Sequence, residues 1–254
     1  MALLNIEKVS KRFGGLDALK EVTFAVHQGQ IKAVIGPNGA GKTTLFNLIS
    51  GSYRPTEGRL LLSGIDLVGK PAHRICRMGV GRTFQQSLVF DDMSVVDNVA
   101  VGRYARTRVG ALAAALTLPR HRREEEEIVR TAHEALRRVE LDHKADELAG
   151  NLPMGERHLL EIARSLASEP TLLLLDEPAA GLNDEETERL AESVRKIRAE
   201  GVTVLLVEHD MTFVMDISDE VVVLDYGRKI AEGPPIMIQD NEEVIKAYLG
   251  EELN

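Results

Sequence analysis

The segment Gly36-Pro37-Asn38-Gly39-Ala40-Gly41-Lys42-Thr43-Thr44 constrains this chain more than any other. It follows a short β-prone run, Lys32-Ala33-Val34-Ile35. It opens a stretch, Thr44–Ile49, that places Leu45, Leu48 and Ile49 on one helical face. A strand, a glycine-rich turn and a helix in that order call for a layered α/β fold. The spacing is Gly, four residues, Gly, Lys, Ser/Thr. Its glycines let the backbone curl until successive N–H groups point at phosphate oxygens. Lys42 supplies a charge for the β- and γ-phosphates, Thr43 a hydroxyl for Mg²⁺, and the helix its positive N-terminal end. These features point to ATP and Mg²⁺ as ligands.

The rest of the chain extends the α/β pattern. Val22, Phe24 and Val26 alternate with Thr23 and Ala25, as in a strand with one buried face, and Leu60-Leu61-Leu62 is another strand. After Pro170 come three runs that do not alternate: Leu172–Leu175, Val202–Val207 and Glu220–Leu224. Such runs suit strands covered on both faces in a mainly parallel sheet. Leu190, Val194 and Ile197 mark a helix between the first two, which implies right-handed crossovers. From about Gly102 to Gly150 the texture is helical instead. Ile128, Ala132, Ala135, Leu136 and Val139 recur at helical spacing, with Glu124–Glu127 expected in the first turn of that helix. This stretch reads as an inserted subdomain.

Composition narrows the function classes. The chain has 254 residues, 44% apolar and 28% charged, an ordinary globular balance. A formal charge of −9 argues against a nucleic-acid partner, which would need a basic face. The longest apolar runs fall far short of the roughly 20 residues that span a membrane, so a soluble chain is expected. The start, Met1–Glu7, has no leader pattern. A single cysteine, Cys76, excludes an intrachain disulfide, fits a reducing compartment and reads as an ordinary partly buried residue.

Leu172-Leu173-Leu174-Leu175-Asp176-Glu177 is the second chemical element. An apolar strand delivers Asp176 to the sheet edge where α/β folds bind ligands. Asp176 can hold Mg²⁺ through water, and Glu177 can accept a proton from an attacking water. Asn151-Leu152-Pro153-Met154-Gly155-Glu156-Arg157 leads into a helix through Leu159, Ile162, Ala163 and Leu166, and Glu208-His209-Asp210 follows a strand. Phosphate loop, this segment, Asp-Glu and Glu-His-Asp occur in the order of an ATP-binding cassette. The chain resembles that family over nearly its whole length.

The resemblance implies a fold and roles. The expected fold is a phosphate-loop NTPase (RecA-like) core with a mainly parallel sheet, an N-terminal antiparallel β subdomain and an inserted helical subdomain. One domain spans 1–254, its core 1–85 and 165–254 and its helical part about 86–164. Phe13 matches the aromatic residue that stacks on adenine. Gln85 matches the glutamine that touches Mg²⁺ and the attacking water and senses the membrane partner. Leu152, Pro153, Met154, Gly155 and Glu156 match the signature segment, which closes on the γ-phosphate of ATP held by the opposite subunit. Ala180-Gly181-Leu182-Asn183 matches a loop that crosses the dimer interface, and His209 the histidine that contacts the γ-phosphate. Without the family, Phe13 reads as core and Gln85 as loop.

Within the family, Lys11-Arg12-Phe13-Gly14-Gly15-Leu16, Asp176–Asn183 and the ending Glu243–Gly250 look like the high-affinity branched-chain amino-acid importer group. The implied partners are integral-membrane permease subunits, a second ATPase subunit in a head-to-tail dimer, and indirectly a periplasmic or extracellular substrate-binding protein. The implied location is the cytoplasmic face of the plasma membrane, peripherally attached. Arg103–Arg123 resembles an extra stretch of that group and reads as a surface helical hairpin, with contact to lipid headgroups or a membrane subunit as the alternative. Other cargo (urea or amide import, lipid export) remains open, as does a soluble cassette outside transport. The latter would ordinarily carry two cassettes, a long coiled coil or a basic arm.

One departure stands out. The common signature is Leu-Ser-Gly-Gly-Gln, whereas this chain has Leu152-Pro153-Met154-Gly155-Glu156. Pro153 has neither a hydroxyl nor a backbone N–H. Losing one such donor costs about 3 kcal/mol of transition-state stabilisation, or roughly a hundredfold in rate. A different partner subunit with the standard segment is therefore expected.

Overall fold

The computed structural model describes residues 1–83, 89–106 and 119–249. β1 (Ala2–Phe13) and β2 (Leu16–His27) form a long antiparallel hairpin. β4 (Glu57–Leu62) pairs with β1 and β5 (Ile65–Asp66) with β4, giving the order β2-β1-β4-β5. Val22, Phe24 and Val26 are buried while Thr23 is exposed, as the alternation requires.

A second sheet has the order β10-β9-β3-β8-β7-β6. β3 (Ile31–Ile35), β6 (Val80–Arg82), β7 (Leu172–Asp176), β8 (Thr203–Val207) and β9 (Glu220–Asp225) run parallel, and β10 (Arg228–Gly233) is an antiparallel edge. Its central strands β3, β7, β8 and β9 are mostly apolar because each face builds its own core. Ala33, Leu173, Leu175, Val204, Leu206, Val221 and Val223 point into one cluster, and Val34, Leu172, Leu174, Leu205, Val207, Val222 and Leu224 into the other. The second cluster lies toward the N-terminal sheet and takes in Leu45, Phe46, Leu48 and Ile49 of helix α1 (Lys42–Ile49), together with Ile75 of α2 (Ala72–Arg77).

The first cluster is larger. It is closed by α3 (Val95–Arg103), α4 (Pro119–Arg138), α5 (Met154–Leu166), α6 (Asp184–Ala199) and α7 (Met211–Ile217), with Ile238 of α8 (Pro235–Gln239) and Val244 of α9 (Glu242–Leu249) at its margin. Among the described residues, the helical stretch has no separate core. Val99, Ala132, Leu136 and Leu160 belong to the same cluster as Leu173 and Val204 of the sheet.

One sequence expectation needs correcting. Glu124–Glu127 are not in the first turn of their helix, because α4 begins at Pro119, a residue suited to an opening position, and that turn carries no acid. Glu127 instead pairs with Arg130 and Arg103. Cys76 is a partly buried free thiol. Of the Arg103–Arg123 stretch, Arg103 and Arg106 meet Glu169, and residues 107–118 lie outside the described residues.

Candidate functional site

Strand register assembles the site. Val34 of β3 is opposite Val207 of β8, and Val207 is opposite Asp176 of β7. Three neighbouring parallel strands therefore end level, about 4.8 Å apart, and release Gly36, Glu208-His209 and Asp176-Glu177 at one edge. This is the carboxyl edge where open α/β sheets hold ligands.

The loop after β3 depends on its glycines. Gly36, Gly39 and Gly41 have φ of 147°, 76° and 103°. A Cβ on Gly36 would lie 2.0 Å from the Leu224 carbonyl oxygen, and one on Gly41 would lie 2.6 Å from that of Ala18. The Gly227 N–H donates to the Ala40 carbonyl at 3.1 Å, so β9 and β2 grip the loop from outside. Lys42 is buried, and its Nζ donates to the Gly36 and Pro37 carbonyls at 2.5 and 3.0 Å. No side chain caps the N-terminus of α1, which suits an anion there. Thr43 is exposed beside Lys42, Thr44 is half-buried, and Asn38 and Gly39 form the exposed crest.

Asp176 is 3% exposed. Its Oδ2 accepts from Arg82 Nη2 at 2.9 Å, while Oδ1 is buried without a hydrogen-bond partner. Burial pushes its carboxyl above the usual pKa, with Glu177 adding to the rise, while Arg82 and Lys42 pull it down. An orphaned oxygen of a buried carboxylate, in the field of the phosphate loop's lysine, fits a hydrated divalent cation. When bound, such an ion would neutralise charge on the phosphates, with Thr43 and Asp176 as its holders.

Glu177 follows with φ of 50°, a left-handed backbone that is strained for any residue but glycine, and its N–H donates to the Val207 carbonyl at 2.9 Å. His209 is exposed at the end of β8. Between them lies Glu208, which is fully buried. Its Oε1 accepts from the Ala179 N–H at 2.8 Å, and its Oε2 from the N–H groups of His209 and Asp210 at 2.9 and 3.3 Å.

The signature residues lie at the start of α5. Pro153 occupies the N-cap position and offers no side-chain cap. Glu156 is drawn into an ion pair with Lys144, at 2.6 and 2.7 Å. The Gly155 N–H donates to Glu186 Oε1 at 3.2 Å, and Glu186 also closes a capping box with Asn183. Leu152 is buried, and Met154 is exposed against the Ala180–Asn183 loop, 3.6 Å from where a Cβ on Gly181 would stand. His158 Nδ1 lies 2.6 Å from the Pro178 carbonyl oxygen, joining α5 to the loop after Asp176-Glu177. Phe13 is 42% exposed at the tip of β1, not core, with Tyr53 edge-on at 5.3 Å and Lys11 Nζ over its ring at 4.8 Å. Gln85 lies outside the described residues.

Sequence reasoning missed Arg82, Glu208 and Glu186 as parts of this arrangement. The available signals were a charge at the end of a three-residue strand, an acid directly after the apolar run Val204–Val207, and the Asn183–Glu186 capping spacing.

Comparison with known proteins agrees with this geometry. Residues 19–180 match the family model described as ABC transporter, and residues 228–254 that described as branched-chain amino acid ATP-binding cassette transporter. Over 250 residues the chain is 46% identical to the high-affinity branched-chain amino acid transport ATP-binding protein BraF of Pseudomonas aeruginosa, with 98% of both chains covered. It is 43% identical, with the same coverage, to the corresponding protein LivG of Escherichia coli K12. The crystal structure of a nucleotide-free ATP-binding cassette from an ABC transporter superposes with a TM-score of 0.87 at 31% identity, covering 98% of this chain and 99% of that one. The ADP conformation of MJ1267, an ATP-binding cassette of an ABC transporter, gives 0.87 at 32% identity with the same coverage. This chain belongs to the ABC transporter family and is an ATPase cassette of it.

Proposed function

We propose that this cassette energises an importer of branched-chain or other hydrophobic amino acids. The observation that carries the catalytic part is the level ending of β3, β8 and β7, which places the phosphate loop, His209 and Asp176-Glu177 on one edge. Gly36–Thr44 cradles the triphosphate, and Phe13 stacks on adenine. Thr43, Asp176 and Gln85 would hold Mg²⁺, Glu177 accepts the proton of the attacking water, Gln85 touches that water and senses the membrane partner, and His209 contacts the γ-phosphate. The cargo reading is supported by the names of the relatives and by the matched carboxyl-terminal segment, residues 228–254.

The chain acts as one unit over 1–254, with about 86–164 as its helical part. No described helix is long and apolar enough to cross a membrane, so transport needs separate integral-membrane permeases. The cassette sits on their cytoplasmic face, with a substrate-binding protein delivering cargo from the other side. Its dimer partner is a different ATPase subunit, docked head to tail. Pro153, the Glu156–Lys144 pair and the Gly155–Glu186 bond leave this chain's signature poorly equipped for a partner's γ-phosphate. Hydrolysis should be slow for the chain alone and rise on adding the cassette encoded beside it. Brisk, cooperative hydrolysis by the chain alone would end the two-subunit reading. Glu177→Gln should bind Mg-ATP normally but lose about a hundredfold or more in turnover, and unchanged turnover would remove Glu177 from the role.

A further inference from the structure

We propose that Arg82 is the positioning residue of the metal-binding carboxylate. Its guanidinium fixes Oδ2 of Asp176 to the end of α1, so that Oδ1 alone is presented to the divalent ion. The inference rests on the reading of Asp176 as a Mg²⁺ holder.

The Arg82 side chain is 10% exposed and that of Asp176 1%. Arg82 Nη2 donates to Asp176 Oδ2 at 2.9 Å, and Nη1 donates to Asn47 Oδ1 and Ser50 Oγ, both at 2.8 Å. Asn47 lies in the last turn of α1 and Ser50 is its C-cap, while the N-terminus of the same helix carries Lys42 and Thr43. The guanidinium carbon stands 5.8 Å from the centre of the Phe46 ring, which limits its swing. A planar fork with several donors can hold a carboxylate and a helix end together, which a lysine cannot.

The backbone around Arg82 is also pinned. Its carbonyl accepts from Ser165 Oγ at 2.9 Å. The next residue, Thr83, donates its N–H to the Leu174 carbonyl at 3.0 Å and accepts from the Asp176 N–H at its Oγ1, 3.2 Å away. Asp176 is thus held through main chain and side chain by two consecutive residues. Its Oδ1 remains buried without a hydrogen-bond partner. A carboxylate tethered at one oxygen is held from turning, so it would face the cation, directly or through water, with Oδ1 alone.

The test compares Mn²⁺ affinity in the presence of ADP, followed by electron paramagnetic resonance, with ADP affinity in EDTA. Arg82→Met should weaken Mn²⁺ binding about tenfold while leaving ADP binding in EDTA unchanged, with Arg82→Lys recovering only part of the loss. Unchanged Mn²⁺ affinity would overturn the proposal, and so would tighter Mn²⁺ binding, which would make Arg82 a competitor of the metal. Should Arg82→Met fail to fold, the double variant Asn47→Ala/Ser50→Ala decides. It keeps the ion pair but frees its far end, and it should weaken Mn²⁺ binding in the same direction. Unchanged Mn²⁺ affinity there overturns the tether. Asp176→Asn is the control for the underlying assignment. If it leaves Mn²⁺ affinity intact, the Mg²⁺ reading of Asp176 fails, whatever Arg82 does.

Discussion

Glu208 and Ala179 are joined by a 2.8 Å hydrogen bond from the Ala179 amide to a carboxylate that is fully buried. The other oxygen of Glu208 holds the amides that begin the His209 turn. One side chain therefore fixes the loop after Glu177 relative to the loop carrying His209. Glu208→Ala would strand three amides, at a cost of about 2–4 kcal/mol. For a chain of this length that should lower the melting temperature by about 5–10 °C. Calorimetry checks this, and a melting point within a degree or so of wild type would refute it.

Gly36 tolerates no side chain. Its φ of 147° and the Leu224 carbonyl, 2.0 Å from the site of a Cβ, force either loop or strand to move. Gly36→Ala should destabilise the protein by about 1–3 kcal/mol and weaken ATP binding at least tenfold. Isothermal titration with Mg-ATP reads the second effect directly.

The Phe13 ring is held by Tyr53 and Lys11 and left partly exposed. Phe13→Ala should reduce ATP affinity by about 1–3 kcal/mol, the usual worth of stacking one base. Inorganic triphosphate, which has no base, should bind both forms alike. Equal losses for the two ligands would remove the stacking role.

Pro153→Ser restores a hydroxyl and an N–H at the start of α5. Serine is also a good N-cap, so stability should rise by about 0.5–1 kcal/mol. Turnover of the chain alone should rise about tenfold or more if the missing donors limit it. A stabilised protein with unchanged turnover would show that Glu186 or Glu156, rather than Pro153, sets the rate.

Glu220 supplies a pH signature. Burial pushes its carboxyl pKa up, but hydrogen bonds from Lys32 and Gln30 and the charge of Lys32 outweigh that and leave it below its ordinary value of 4.5. A depressed carboxylate stabilises the fold above its unfolded pKa, and this contribution is lost as pH falls through the folded value. Glu220→Gln should therefore melt below wild type at neutral pH, with the gap closing under acid conditions below pH 4.5. A gap independent of pH would mean that packing, not charge, holds Glu220.

The strands and the phosphate loop are legible in the sequence for one reason. Continuous burial leaves a continuous apolar run, so Leu172–Leu175 and Val204–Val207 announce themselves, and the loop's glycines answer a local backbone demand. Arg82 and Glu208 carry no comparable mark. Their roles arise from which strand lies beside which, a fact of sheet order that no window of sequence contains. Arg82 meets Asn47 across 35 positions and Asp176 across 94. The start of α4 is hidden for a different reason: the acidic run reads as an N-terminus, but Pro119 opens the helix five residues earlier. Phe13 and His209 take their proposed roles from the family, because the partner proposed for each is a ligand.

The even termination of β3, β8 and β7 has a mechanical meaning. Groups proposed to act on one nucleotide are graduated along a ruler whose divisions are the hydrogen bonds between neighbouring backbones. Loops can lengthen or change composition without altering that gauge. A slip of one strand by a single residue, in contrast, would reverse the facing of every side chain along it and take its share of the site out of reach.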